Sequence, residues 1–169
     1  AHGIRADFVG HPVVDEPQPS AAEVVGFRDR YGLGDAPTIL ALPGSRAAEV
    51  SRLADVFGAA LAEVVRAAPE TRVVVAAAAP VAEAVLAATS RWPGDPVVLD
   101  PRDMVLAEAL RIKRAAFVAA NAALAASGTV SLELAAAGTP MVIAYDMNWI
   151  TRKIIQRKLL IDTVTLVNL

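Results

Sequence analysis

Short, continuously apolar runs alternate with alanine-rich stretches of helical period along the chain. Runs at 7–9, 38–42, 72–77, 97–99, 122–125, 141–145 and 163–166 predict strands. Because they are continuous rather than alternating, they read as strands covered on both faces. Between them the spacing predicts helices near 21–31, 47–68, 80–91, 102–120, 130–137 and 149–160. The second carries the clearest stripe, with Val50, Leu53, Phe57, Leu61, Val64 and Ala68 recurring at three or four. Strand–helix alternation of this kind predicts βαβ units and a parallel sheet. The expected fold is therefore α/β, a Rossmann-like three-layer sandwich.

Composition narrows the class. The chain has 169 residues, 55% of them hydrophobic, which suits one domain with its own core, expected over 1–169. Alanine is about a fifth of the chain, which favours helix while adding little core volume per residue. Sixteen Lys+Arg against 18 Asp+Glu is too balanced for a nucleic-acid binder. The absence of cysteine excludes a disulfide framework, a Cys-based zinc site and a thiol nucleophile, and two histidines leave little room for a His-rich metal site. No run reaches the ~18–20 strongly apolar residues of a membrane-spanning helix. The first residues, AHGIRADFVGHP, lack the pattern of a signal peptide, and with no initiator Met the chain is expected to begin inside a longer protein. There is no repeat, second domain or low-complexity linker. The Pro-rich stretch 12–19 reads either as a surface turn or as the remnant of an inter-domain hinge.

Ligands of open α/β sheets bind at the carboxyl ends of strands, where loops lead into helix N-termini. Two such junctions stand out. In Leu42-Pro43-Gly44-Ser45-Arg46 the glycine lets backbone approach a ligand, Ser45 is placed to cap the helix or bond a phosphate oxygen, and Arg46 offers a fork of donors. The same residues would also serve as a Gly turn with a capping Ser and a solvated Arg. Ala126-Ser127-Gly128-Thr129 repeats the logic ahead of a helix whose free N–H groups would face an anion. Neither is a Walker motif or a GxGxxG fingerprint. Glu133, one turn into that helix on the side of Thr129, suits either the helix dipole or the hydroxyls of a sugar beside a bound phosphate. His11 follows the first strand, and Asn168 stands at the end of the last. The segment 149–160, WITRKIIQRKLL, sets four basic residues between two apolar stripes. It reads as a helix packed against two neighbours or as a membrane-surface element.

In order along the chain, FVGHP (8–12), LALPGSR (40–46), ASGTVSLELAAAGTPMVIAY (126–145) and TLVNL (165–169) resemble the lipid-A-disaccharide synthase family over essentially the whole length. The LPGSR and ASGT…LE…GTPMV blocks are specific as an ordered pair. The resemblance implies one half of a GT-B fold: the C-terminal, nucleotide-binding half, without the acceptor-side N-terminal domain and the closing tail. It implies transfer of 2,3-diacylglucosamine from its UDP carrier to lipid X, with inversion, giving lipid A disaccharide 1-phosphate and UDP. The UDP-sugar is then the donor substrate, and no metal or organic cofactor is expected. By the same resemblance Arg46, with the backbone of Gly44 and Ser45, would stabilise departing UDP. Ser127, Gly128 and Thr129 would hold phosphate, Glu133 would take the ribose hydroxyls, Asn168 would be essential and His11 would shape the cleft. The general base would be an Asp of the missing half, leaving this chain alone inactive. The implied setting is cytoplasmic, at the inner face of the bacterial inner membrane, with a membrane-surface contact and a homodimer as further expectations. Another UDP-GlcNAc enzyme of the same fold, a peptidoglycan transferase or a 2-epimerase, and a non-catalytic Rossmann-like module are the alternatives. The chain departs from the family pattern at Val167, where Pro is usual, and at Asn121, where Asp is usual. The segment 104–113 is longer than usual.

Overall fold

The computed structural model describes Asp7 and residues 10–145 of the chain. Within it, β1 (Thr38–Leu42), β2 (Arg72–Ala76), β3 (Val97–Leu99), β4 (Ala122–Ala126) and β5 (Met141–Ala144) form one sheet. The order is β3-β2-β1-β4-β5, and each neighbouring pair is parallel. After β3 the chain returns to the far side of β1 to lay down β4. The β1/β4 boundary is therefore the switch point, where an α/β sheet opens a crevice at its strand ends.

Alternation along the strands separates two apolar cores. Leu40, Leu42, Val74, Ala123 and Ala125 pack with residues of α1 (Ala21–Arg30), α4 (Leu106–Ala119) and α5 (Val130–Ala136), among them Phe27, Ile112, Phe117 and Leu134. On the other face Ala41, Val73 and Val75 meet Val50, Leu53, Phe57 and Leu61 of α2 (Ala47–Ala67) and Val85 of α3 (Ala82–Thr89). The three-layer, Rossmann-like reading is borne out.

The elements follow local chemistry. Ser20 and Glu23 close a capping box at the start of α1, with the Glu23 N–H on Ser20 Oγ and the Ser20 N–H on Glu23 Oε2. Arg28 reaches back from α1 to three carbonyls, Gly34 O, Ala36 O and Ala119 O, at 2.7, 2.7 and 2.9 Å. Asn121 marks the entry of the central strands. Its Oδ1 accepts the Thr38 N–H at 2.8 Å, and its own N–H donates to Thr38 O at 2.9 Å.

Several expected boundaries shift. The helix expected over 102–120 begins only at Leu106. Asp100 Oδ1 accepts the Arg102 N–H at 3.0 Å and the Met104 N–H closes on Pro101 O, so this stretch is turn, not helix. The helix expected over 80–91 is a 3-10 turn, Ala79–Val81, followed by the shorter α3, because Pro80 suits only the first turn. The stripe of α2 drifts: Val64 is 37% exposed, and Val65 packs on the core in its place. Asp7 lies outside any strand, and Phe8 and Val9, the rest of that expected strand, lie outside the described residues. So do the strand expected at 163–166 and the helix at 149–160. Within the Pro-rich stretch, Pro12–Asp15 is a 3-10 turn, the surface-turn alternative.

Candidate functional site

The carboxyl ends of β1 and β4 open into one cleft of about 650 Å³. Both junctions singled out in the sequence line it: Gly44, Ser45 and Arg46 from β1, and Ser127, Gly128, Thr129 and Glu133 from β4 and α5. They are 80 and more positions apart in the chain, and the β1–β4 pairing (Leu42 opposite Ala125) makes them neighbours. Pro101, Met104 and Leu106 also line it, so the 104–113 segment belongs to the cleft.

The first junction is organised by a residue that the sequence reading passed over. Glu49 accepts the N–H of Ser45 (3.0 Å) and of Arg46 (3.3 Å) on Oε2, and the Arg46 guanidinium (2.8 Å) on Oε1. Burial pushes its carboxyl up, but the Ser45 N–H, the Arg46 guanidinium and the Arg46 N–H outweigh that and hold it below the usual glutamate range. The helix cap is therefore Arg46 by position, not Ser45, and Glu49 reaches back to accept the N–H of the cap residue and of the residue before it. Gly44 is at φ +122°, a conformation side chains rarely adopt. The Arg46 side chain is 79% exposed, so it spans Glu49 and the open cleft. A glutamate three residues after a helix start was the available signal.

At the second junction Thr129 stands at the cap position of α5 with helical backbone angles and makes no side-chain cap bond. The turn closes instead through Ser131, whose N–H and Oγ both donate to Gly128 O, at 3.2 and 2.8 Å. The Ser127 N–H is taken by Ala144 O. Among the described residues, no hydrogen bond uses the N–H of Gly128, Thr129 or Val130. These donors stand at the mouth of the cleft where an anion would be held.

Glu133 is not solitary. Its Oε2 accepts from Lys113 Nζ of α4 at 2.6 Å, across the cleft floor. Asp100, at the end of β3, is bound by the Arg102 guanidinium at 2.6–3.0 Å, which holds its carboxyl well below the usual range. The Lys113–Glu133 partnership joins two helices 20 positions apart and carried no local signal, whereas that of Asp100 with Arg102 is local.

Two expected residues are not brought in. His11 is exposed at the start of the 3-10 turn, where its Nδ1 accepts the Val13 N–H at 3.2 Å, and it is not among the cleft-lining residues. Asn168 lies outside the described residues.

Comparison with known proteins agrees with the geometry. The family model described as lipid-A-disaccharide synthetase matches residues 1–169. The lipid-A-disaccharide synthase of Ruegeria pomeroyi is 59% identical over 167 residues, 99% of this chain and 42% of that protein. The synthase of Rhodospirillum centenum is 42% identical over 170 residues, 100% of this chain and 40% of that protein. The chain thus spans about two fifths of the length of these relatives. Among solved structures, a glycosyl transferase family 9 protein from Veillonella parvula superposes with a TM-score of 0.53 at 15% identity, covering 86% of this chain and 46% of its own. A putative UDP-N-acetylglucosamine 2-epimerase from Listeria monocytogenes gives 0.52 at 18%, covering 89% and 34%. At these identities the structural likeness establishes the α/β fold alone.

Proposed function

Because the chain belongs to the lipid-A-disaccharide synthetase family, we propose that it is the UDP-sugar-binding half of an inverting glycosyltransferase. The whole protein would transfer 2,3-diacylglucosamine from UDP to lipid X, giving lipid A disaccharide 1-phosphate and UDP. The observation that carries this reading is the meeting of both junctions in one cleft at the β1/β4 switch point.

In this reading a hydroxyl of lipid X attacks the anomeric carbon as its bond to the diphosphate breaks. The hydroxyl proton passes to a base on the half not contained in this chain, and negative charge grows on the leaving UDP. The N–H groups of Gly128, Thr129 and Val130, unbonded among the described residues, with the hydroxyls of Ser127 and Thr129, receive phosphate. Arg46 compensates the growing charge from the facing junction. The Ser45 N–H is already engaged by Glu49, so the Arg46 guanidinium and the backbone at Gly44 carry that junction's share. Glu133 accepts the ribose hydroxyls. Asn168, outside the described residues, and His11, outside the cleft lining, remain proposed contributors in the whole protein. The reading calls for no metal or organic cofactor, since guanidinium and N–H groups supply the compensation.

The acylated substrates place the reaction at a membrane surface, proposed here as the inner face of the bacterial inner membrane. Among the described residues no helix is long and apolar enough to cross a membrane. A peripheral contact, a partner N-terminal domain and a homodimer belong to the same proposal.

The test is the thermal midpoint of the full-length protein with UDP, ADP or NAD, beside an assay of acylated-sugar transfer. A ligand at 100 times its dissociation constant stabilises by about 2.7 kcal/mol, a visible shift. A shift with UDP alone that disappears in Arg46→Ala, together with transfer by the full-length protein, is expected. No shift with UDP, or equal shifts with all three, overturns the reading. Epimerisation without transfer would favour the alternative enzyme.

A further inference from the structure

We infer that Lys113 is a positioning residue for nucleotide recognition, holding the Glu133 carboxylate in the orientation that reads the ribose; this rests on the cleft being a UDP site. Lys113 stands on α4 and Glu133 on α5, 20 positions apart, and both line the cleft. Lys113 Nζ lies 2.6 Å from Glu133 Oε2, and the two side chains keep 34% and 24% of their exposure. The pair is therefore at the cleft surface and not sealed beneath it.

The lysine is itself held. Its Nζ lies 5.4 Å from the centroid of the Phe117 ring, one turn further along α4, and Phe117 is 2% exposed. A rigid aromatic thus fixes the ammonium, and the ammonium fixes the carboxylate. Among the described residues the hydrogen bond to Glu133 is on Oε2, so Oε1 is left to accept from a ligand entering the cleft. A glutamate side chain loses rotamer freedom when it binds a hydroxyl. Fixing it beforehand removes that cost from the binding step.

A strut that only joined α4 to α5 would affect every ligand of the cleft equally. A positioning residue affects only the part of the ligand its partner reads. The distinguishing measurement is calorimetric titration of the full-length protein with UDP and with 2′,3′-dideoxyuridine diphosphate. Lys113→Met keeps the aliphatic stem on Phe117 and removes the charge, Lys113→Arg keeps the charge, and circular dichroism and thermal midpoints check folding. Wild type is expected to prefer UDP by about tenfold or more, the worth of hydrogen bonds to a charged acceptor. Lys113→Met is expected to lower that preference to about threefold or less while dideoxyuridine diphosphate binds as before, and Lys113→Arg to restore part of it. An unchanged preference in Lys113→Met, or equal weakening of both nucleotides, overturns the inference while leaving the UDP site standing. Failure of wild type to bind UDP, or to prefer it, overturns the reading of the cleft and this inference with it.

Discussion

A side chain at position 44 would collide with Glu49: a Cβ on Gly44 would lie 2.7 Å from Glu49 Cβ and 2.8 Å from its Oε2. The glycine is required twice over, by its φ of +122° and by the carboxylate folded against it. Glu49 Cβ belongs to the first turn of α2 and cannot yield as a flexible chain end would. Gly44→Ala is expected to cost about 2 kcal/mol or more, read as a lower urea midpoint at unchanged m-value. An alanine variant as stable as wild type would show that the loop has another conformation available.

The same carboxylate makes the junction sensitive to acid. The folded-state pKa of Glu49 is depressed, so its contribution is fully present above the unfolded value of about 4.3 and is lost as pH falls through the folded one. Glu49→Gln is expected to be about 1–2 kcal/mol less stable than wild type at pH 6. The two proteins should converge as pH drops below about 4, because protonation then removes the same charge from wild type. Denaturant titrations at pH 3, 4 and 6 check this. A gap that stays constant across the series would assign the effect to shape and not to charge.

How far the sequence could be read follows from where each interaction lies. The runs at 38–42 and 97–99 coincide with β1 and β3; β1, central in the sheet, is buried almost throughout and shows as a nearly uninterrupted apolar run, while β3 at the edge is part-buried. Gly44, Ser45, Arg46, Ser127, Gly128, Thr129 and Glu133 were legible as site candidates because each lies beside a strand end or in the helix turn that follows one. Lys113 was not, and Glu49 only through its place three residues after a helix start. Glu49 looks like an ordinary residue of a helix face until the loop is seen folded over it, and Lys113 meets Glu133 only through the packing of α4 beside α5. The start of α4 was misjudged for a local reason, since the Asp100 side chain competes for the backbone that a helix would use.

Asn121 supplies a check on the central strands. Thr38 is 1% exposed, and its N–H has the Asn121 carbonyl oxygen as partner. Asn121→Ala would leave that buried donor unpaired and is expected to cost about 1–3 kcal/mol. Asn121→Asp keeps an acceptor at the same place and is expected to stay within about 0.5 kcal/mol of wild type near neutral pH. Thermal midpoints of both variants decide it: equal losses would mean that the neutral amide, and not merely an acceptor at this place, is required, and no loss in either that water replaces it.

Arg28 ties three segments through a single side chain. Its Nε, Nη1 and Nη2 donate to Gly34 O, Ala119 O and Ala36 O, so one planar fork joins α1, the approach to β1 and the end of α4. A lysine would bring the charge but no fixed fork, and its single ammonium does not reproduce three divergent bonds. Arg28→Lys is therefore expected to destabilise by about 1–2 kcal/mol, a fall in thermal midpoint of about 2–8 °C for a chain of this size. The exposed Arg30–Glu108 ion pair spans the same two helices at 2.8 Å and should contribute well under 1 kcal/mol, so Arg30→Ala serves as the control. Amide exchange adds the location: faster exchange in α1 with α2 unchanged is expected of Arg28→Lys, because α2 packs on the opposite face of the sheet. Uniform acceleration through both faces would instead make Arg28 a determinant of global stability.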